Sequence, residues 1–266
     1  MATTAWTTAS TLASAFTSEP DHGVPGRDPE APRLISARIA AIRRETPRVS
    51  VFWLDYGDAE YRFRPGQWLD LYANVSGRRE VGGYSITSTH SEPGRIRIAV
   101  RHSDHHPVTR WLTQVAAVGD AVEISEGQGD FHCAPAHGRR LVLLGAGIGI
   151  TPLVGILREV YECHPDVSVT LLYSARNEGE LLFRAELDAM AAERANICCL
   201  YLAGPVAGEP APQGGPRMLV QLERAGLLDP TATYFFCGPR GFVEDLATGL
   251  AAHGISAERL VYERWW

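Results

Sequence analysis

The chain reads as two domains in series: an antiparallel Greek-key β-barrel, then a Rossmann-like α/β domain built on a parallel sheet. Three observations carry this reading. From Arg33 to Ser125 short β-prone runs alternate with turn residues, and a single helical segment interrupts them. After His137-Gly138 strand-like and helix-like runs alternate instead, the pattern of βαβ units with right-handed crossovers. At the head of that second half a glycine-rich turn joins a continuous apolar run to a helical pattern. A length of 266 residues accommodates two compact domains.

Taken in order, the first 30 residues are rich in Ala, Thr and Ser, with Arg27 their first base and acids at Glu19, Asp21, Asp28 and Glu30. That composition fits neither an Arg-rich, acid-poor presequence nor a secretory signal, so residues 1–32 are expected to form a disordered or loosely docked tail. The barrel is expected over 33–137. Its strand candidates are 34–42, 49–56, 68–72, 84–87, 95–101 and 121–125, and its helix begins near Val108, with Trp111, Leu112 and Val115 forming the apolar face. The α/β domain is expected over 138–266. Leu141-Val-Leu-Leu144 is apolar without alternation, as in a strand buried on both faces. Further strands are expected at 167–173, 197–202 and 234–237, with helices after the first strand and at 180–193, 218–225 and 241–253. The Gly- and Pro-dense stretch 204–216 reads as a surface loop, and no internal repeat is evident.

Composition narrows the partners. A formal net charge of -6 without a Lys/Arg run lacks the electrostatic term that dominates nucleic-acid binding. Five scattered cysteines, none spaced C-x-x-C, suggest neither a disulfide framework nor a zinc site, and no four have the spacing of a plant-type iron–sulfur cluster. A reducing compartment, the cytoplasm, is the simplest expectation. No apolar run is long enough to span a bilayer as a helix. His102, Asp104, His105 and His106 invite a metal reading, but adjacent histidines rarely face one centre, and a solvent- or phosphate-facing role is favoured.

The chemistry is concentrated in Leu141-Val-Leu-Leu-Gly-Ala-Gly-Ile-Gly-Ile-Thr-Pro152, where Gly145, Gly147 and Gly149 stand between a buried strand and a helix. Such a turn lets backbone amides and the helix N-terminus approach a pyrophosphate. Pro152 suits a first helical turn, where its missing N–H costs nothing. The spacing differs from the G-x-G-x-x-G fingerprint, the third glycine coming one position early.

Four motifs in order resemble the ferredoxin-NADP reductase family: Pro65-Gly66-Gln67 before Trp68-Leu69-Asp70-Leu71, Gly83-Tyr84-Ser85-Ile86-Thr87-Ser88, the loop with Thr151-Pro152, and Cys237-Gly238-Pro239. Within that family, Val81-Gly-Gly-Tyr-Ser85 and the ending Glu263-Arg-Trp-Trp266 resemble the oxidoreductase NAD-binding domain-containing type. The resemblance covers the chain from about Arg33 onward. It implies a flavin-binding barrel holding FAD, with Tyr84 stacked on the isoalloxazine and Ser85 near its N5, and Ile86 and Thr87 continuing the motif. It implies that Thr151 and Cys237 line the nicotinamide, with Gly238 and Pro239 beside them, and that Trp265 or Trp266 shields the flavin. Gly82 departs from the pattern, because the family usually has there an arginine that holds the flavin pyrophosphate; Arg78, Arg79 and Arg101 are the candidate replacements. Thr109 keeps the hydroxyl of a second phosphate motif whose glycine is absent. Ser174 and Arg176 end the second parallel strand, where the adenosine ribose is read. The nucleotide is NADH or NADPH, with a lean to NADH because Arg176 has no accompanying Lys or second Arg nearby. The implied activity is hydride transfer from NAD(P)H to FAD and onward electron transfer to a separate acceptor, protein or small molecule. Two other readings stand beside it: a flavin reductase that releases reduced flavin, and a non-redox flavin- or nucleotide-binding protein.

Overall fold

Strand β1 (Leu34–Thr46) buries Ile35, Ala37 and Ile39 on one face and turns Ser36 and Arg38 outward, the alternation that its sequence carries. It pairs with β2 (Val49–Asp55) and β6 (Ala121–Ser125), and the sheet is completed by β3 (Trp68–Val75), β4 (Arg78–Ser85) and β5 (Arg95–Arg101), every pair antiparallel. The strand order is β4-β3-β6-β1-β2-β5. A bridge between Ile86 and Ile98 joins the two ends of that order, so the sheet closes on itself. Helix α1 (Pro107–Gln114), with proline in its first turn, caps the interior by burying Val108 and Leu112. These features are those of a computed structural model that describes residues 33–205 and 214–263. The N-terminal tail, part of the 204–216 loop, Trp265 and Trp266 lie outside the described residues.

The second layer structure begins with β7 (Arg140–Ala146) and continues through β8 (Ser168–Ala175), β9 (Ile197–Ala203), β10 (Thr233–Cys237) and β11 (Leu260–Tyr262), all parallel. Helices α2 (Ile150–Cys163) and α3 (Arg184–Glu193) pack with Leu141 and Leu143 on one face, while α4 (Gly215–Arg224) and α5 (Arg240–Ala252) pack with Val142 and Leu144 on the other. Covering both faces explains the unbroken apolar run of β7. The order is β11-β10-β7-β8-β9, so the winding reverses between β7 and β10. A crevice at the carboxyl ends of those two strands is the place where open α/β sheets bind ligands. No helix among the described residues is long and apolar enough to cross a membrane.

Three elements differ from the sequence expectation. Strand β4 starts at Arg78 rather than at Tyr84, because Arg78 to Ser85 pairs residue for residue with β3 despite two glycines and a charged start; pairing partners outweigh intrinsic β-preference here. The short edge strand β11 is absent from the expectation. The helix expected at 180–193 is split: a single turn at Glu178–Glu180 is followed by three buried residues, Leu181, Leu182 and Phe183, before α3 begins. Three consecutive side chains cannot all face one core from a helix. The break is made at Phe183, whose φ of 60° is left-handed.

Candidate active site

A cleft of about 400 Å³ opens at the switch point, with one wall from the barrel and one from the α/β layers. On the barrel side, the end of β4 contributes Gly83, Tyr84 and Ser85, the end of β5 contributes Ala99 to Arg101, and α1 contributes Thr109. The Tyr84 and Thr109 hydroxyls lie 2.9 Å apart. Burial pushes the Tyr84 phenol up to about 12, with the Thr109 hydrogen bond pulling the other way, so it stays a neutral phenol. Position 82 sits beneath it: a Cβ there would lie 2.7 Å from the Tyr84 hydroxyl and 3.1 Å from His106 Cε1. Tyr84 and His106 therefore occupy the space through which an arginine side chain would leave the strand.

On the other side, the loop Gly147–Gly149 forms a tight turn between β7 and α2. Gly147 has φ 58°, and a Cβ on Gly149 would run into the carbonyl of Cys237; glycine is required at both for these separate reasons. Thr151 donates to the Ile148 carbonyl at 3.0 Å and tightens the turn. Buried Tyr173 supports it from below, donating to the Gly147 carbonyl at 3.1 Å while accepting the Leu182 amide at 3.2 Å. Cys237, Gly238 and Pro239 complete the wall. Burial, with Glu263 adding to it, drives the Cys237 thiol well above its ordinary range, so this group is a protonated, apolar surface rather than a thiolate.

A narrower recess of about 30 Å³ shares Arg101, Gly147 and Ile148 with the cleft. Thr46, Arg48 and Val49 reach it from the barrel, and Arg176, Glu180 and Leu182 from the end of β8 and the segment after it. Three arginines, Arg48, Arg101 and Arg176, thus line the recess beside the phosphate-type loop together with one acid, Glu180, a net positive lining that suits an anionic ligand.

Of the residues singled out from the sequence, Tyr84, Ser85, Arg101, Thr109, Gly147, Gly149, Thr151, Cys237, Gly238 and Pro239 border the cleft, and Arg176 borders the recess. Ile86 and Thr87 are buried in the barrel, Gly145 lies under Leu153 of α2, and Pro152 and Ser174 are buried behind the loop. Among the bases offered for Gly82, Arg101 borders the cleft. Arg79 instead pairs with Glu123 at 2.8 Å over the Tyr72 ring, and Arg78 begins β4 opposite Val75, at the far end of the strand from Ser85. Sequence reasoning missed Ala99, Val100, Ala146 and Ile148 as lining residues, which carry no chemistry of their own, and Arg48, which reaches the recess only through the β1–β2 turn.

The residues present fit a flavin and a nicotinamide nucleotide. Ala99, Val100, Ile148 and the Cys237 thiol offer apolar walls to flat rings, while Ser85, Thr109, Arg101 and the glycine amides offer donors to carbonyls and phosphates. The cleft thus joins a barrel wall suited to a flavin with an α/β wall suited to a nicotinamide nucleotide, the arrangement of a flavin- and nucleotide-dependent oxidoreductase, and two family matches agree. Residues 38–133 match the family described as oxidoreductase FAD-binding domain, and residues 143–248 match the oxidoreductase NAD-binding domain. The chain thus combines a match to an FAD-binding oxidoreductase domain with a match to an NAD-binding one, in a ferredoxin-NADP reductase-like fold. It is 29% identical over 255 residues to oxidoreductase NAD-binding domain-containing protein 1 of Danio rerio, covering 88% of this chain and 92% of that one. It is similar to the FAD/NAD-binding domain of nitric oxide dioxygenase from Vibrio cholerae O1 biovar El Tor, with a TM-score of 0.72, 25% identity and coverage of 87% and 98%. The fold is also that of a ferredoxin NADP+ reductase from Neisseria gonorrhoeae, solved with FAD and NADP, at a TM-score of 0.70, 20% identity and coverage of 86% and 98%.

Proposed function

We propose that the protein uses NAD(P)H to reduce FAD in the cleft and passes the electrons to a separate acceptor, a redox protein or a small molecule. The observation that carries this reading is that Tyr84 and Ser85 of the flavin-type motif share one cleft with Gly147, Gly149 and Cys237 of the nucleotide-type motifs. Bound FAD would supply the redox chemistry, accepting a hydride from the nicotinamide ring at N5. The chain's own task is positioning and electrostatics. Ser85 offers a hydroxyl toward the reacting edge of the flavin, and Tyr84, tied to Thr109, provides the aromatic surface beside it. Gly147 and Gly149 let amides approach the nucleotide pyrophosphate, Thr151 holds their turn, and the Cys237 thiol keeps that side of the cleft dry. Arg101, bordering both cavities, is the base best placed to take the part of the arginine missing at position 82.

The lean to NADH rests on Arg176 having no second base nearby. That holds along the chain but not in space, since Arg48 and Arg101 border the same recess. With Arg101 assigned to the flavin pyrophosphate and Glu180 lining the same recess, the donor is NADH or NADPH, and titration with each nucleotide decides between them. A second reading, release of reduced flavin, is favoured by Gly82, because losing one charge-assisted hydrogen bond costs roughly 1.5–3 kcal/mol of cofactor binding.

The test is anaerobic: the visible spectrum of the purified, FAD-loaded protein is followed while NADH and NADPH are added in turn. Bleaching by either nucleotide supports the reductase reading, and the faster one identifies the donor. Bound flavin that neither nucleotide bleaches removes hydride transfer and leaves the non-redox binding reading. Flavin that separates from the protein on a desalting column after reduction, but not before, supports release.

A further inference from the structure

Resting on that reading, we infer that Arg158 is a positioning residue for hydride transfer: it locks helix α2, and with it the nucleotide loop, onto the flavin motif. Arg158 stands in the middle of an apolar helix and its side chain is only 1% exposed. A buried guanidinium persists when its nitrogens are paired, and each of the three nitrogens here has a partner. It makes a two-pronged contact with Glu186 at the start of α3, at 2.7 and 2.6 Å, lies with Cζ 5.0 Å over the Phe183 ring, and donates its remaining prong to the backbone carbonyl of Thr87.

Thr87 follows Ser85 by two residues, so the contact reaches the flavin motif itself. The segment has no slack to absorb a shift. The Ile86 amide donates to Gln67 at 2.8 Å, and both the amide and the hydroxyl of Thr87 donate to the Arg97 carbonyl, at 2.8 and 3.1 Å. Thr151, Gly155 and Arg158 stand at i, i+4 and i+7 on α2 and share one face of the helix. Thr151 borders the cleft. At Gly155 the helix touches barrel backbone, where a Cβ would come within 2.8 Å of the Gly66 amide and 2.9 Å of the Ile86 carbonyl. Arg158 ends the stripe at Thr87. One helix face thus spans about 10 Å from nucleotide loop to flavin strand, at a rise near 1.5 Å per residue. Through it the separation of the two ring-binding walls is set by rigid elements. Hydride transfer is steeply sensitive to that separation.

The experiment compares wild type with Arg158→Met, Arg158→Lys and Glu186→Gln. For each, FAD content, nucleotide affinity, the rate of flavin bleaching at saturating nucleotide, its isotope effect with 4-deuterated nucleotide, and hydrogen exchange of residues 85–88 in the cofactor-free chain are measured. R158M is expected to keep nucleotide affinity within about twofold yet transfer hydride at least about tenfold more slowly, with an altered isotope effect. Its 85–88 amides exchange faster. R158K, a point charge that cannot reproduce the fork, recovers only part of the rate, whereas E186Q, which leaves the Thr87 contact in place, stays near wild type. An R158M protein that bleaches at the wild-type rate, or slows only in proportion to lost flavin, overturns the inference. So does unchanged exchange at 85–88. If R158M does not fold, R158K and E186Q decide, and equal rates in those two overturn it. Wild-type flavin that neither nucleotide bleaches would instead remove the functional reading, and the exchange measurement would still test the lock.

Discussion

Glu159 follows Arg158 directly and meets the opposite circumstances: its Oε2 is buried with no hydrogen-bond partner among the described residues. Burial raises its pKa, His164 and Arg64 pulling it down less strongly than burial lifts it. The folded chain therefore holds this proton more tightly than the unfolded one. Its contribution favours folding below the ordinary carboxyl range, near pH 4.3, and is lost as pH rises through the raised value. Replacing it with an apolar side chain of similar length should help where the carboxylate is ionised: Glu159→Met is expected to raise the melting midpoint at pH 7 by an amount worth about 1 kcal/mol, and by much less at pH 4. Melting curves at the two pH values check this, and an equal effect at both would show that charge burial is not the cause. The neighbouring chemistry of cysteines separates in the same way. Cys237 is buried with its thiol well above the ordinary range, while Cys163 and Cys198 are exposed. Iodoacetamide on the native protein is expected to label the latter two and spare Cys237; peptide mapping reads this, and labelled Cys237 would mean that the cleft wall opens. At this scale the sequence was most legible where function imposes a motif. Tyr84, Ser85, Gly147, Gly149 and Cys237-Gly238-Pro239 could be singled out by their motifs, and the fold gathers them around one cleft. Arg48 and Arg158 could not, since their meaning lies in partners distant along the chain, although an arginine inside the apolar run of α2 is itself a signal.

Among the elements, the turn from β7 into α2 depends most on a single atom. Gly149 faces the Cys237 carbonyl so closely that any Cβ must displace either the loop or the end of β10. Both border the side of the cleft that faces the flavin-type motif of Tyr84 and Ser85, and neither belongs to that motif. Gly149→Ala is therefore expected to weaken nucleotide binding by at least about tenfold while leaving FAD content unchanged, because displacing a positioned backbone by even 1 Å is costly. Titration of nucleotide against the loaded protein measures it, with equal loss of both cofactors arguing for general unfolding instead. The elements legible in the sequence were those whose own pattern matches their surroundings: β1 by alternation, β7 by its double-sided burial, α5 by its apolar face. Strand β4 was half-hidden because its first residues, Arg78 to Gly83, are held by β3 rather than by preference. The split before α3 was hidden because Leu181, Leu182 and Phe183 fit a helical pattern, and only the need to bury all three forces the left-handed turn at Phe183.

Across the whole molecule, the barrel and the α/β layers are joined by polar contacts that converge on one junction. Arg158 reaches Thr87, Glu162 accepts from the Thr89 hydroxyl at 2.6 Å, and Glu45 accepts from the Phe183 amide at 3.2 Å. Such a junction makes cohesion between the two halves depend on pH. Burial alone would raise the Glu186 pKa, but the hydrogen bonds and charge of Arg158, with Arg97 and Arg43 behind it, reverse this and hold it below the usual carboxylate value. A depressed carboxyl contributes stability that is fully present above its unfolded value, about pH 4.3, and is lost as pH falls through the lower folded value. Protonation leaves Arg158 buried opposite a neutral acid, the costly half of a broken pair. The stability gap between wild type and Glu186→Gln should therefore be full at pH 7 and close progressively below about pH 4. Carboxylates elsewhere titrate alike in both proteins, so the difference isolates this one group. Paired denaturant titrations from pH 3 to pH 7 check it, following the tryptophans, which report on the barrel through Trp53 and Trp68 in β2 and β3. A gap that stays constant across that range would mean that Glu186 titrates alike in the folded and unfolded chain, and that the charge of Arg158 does nothing to favour its ionised form.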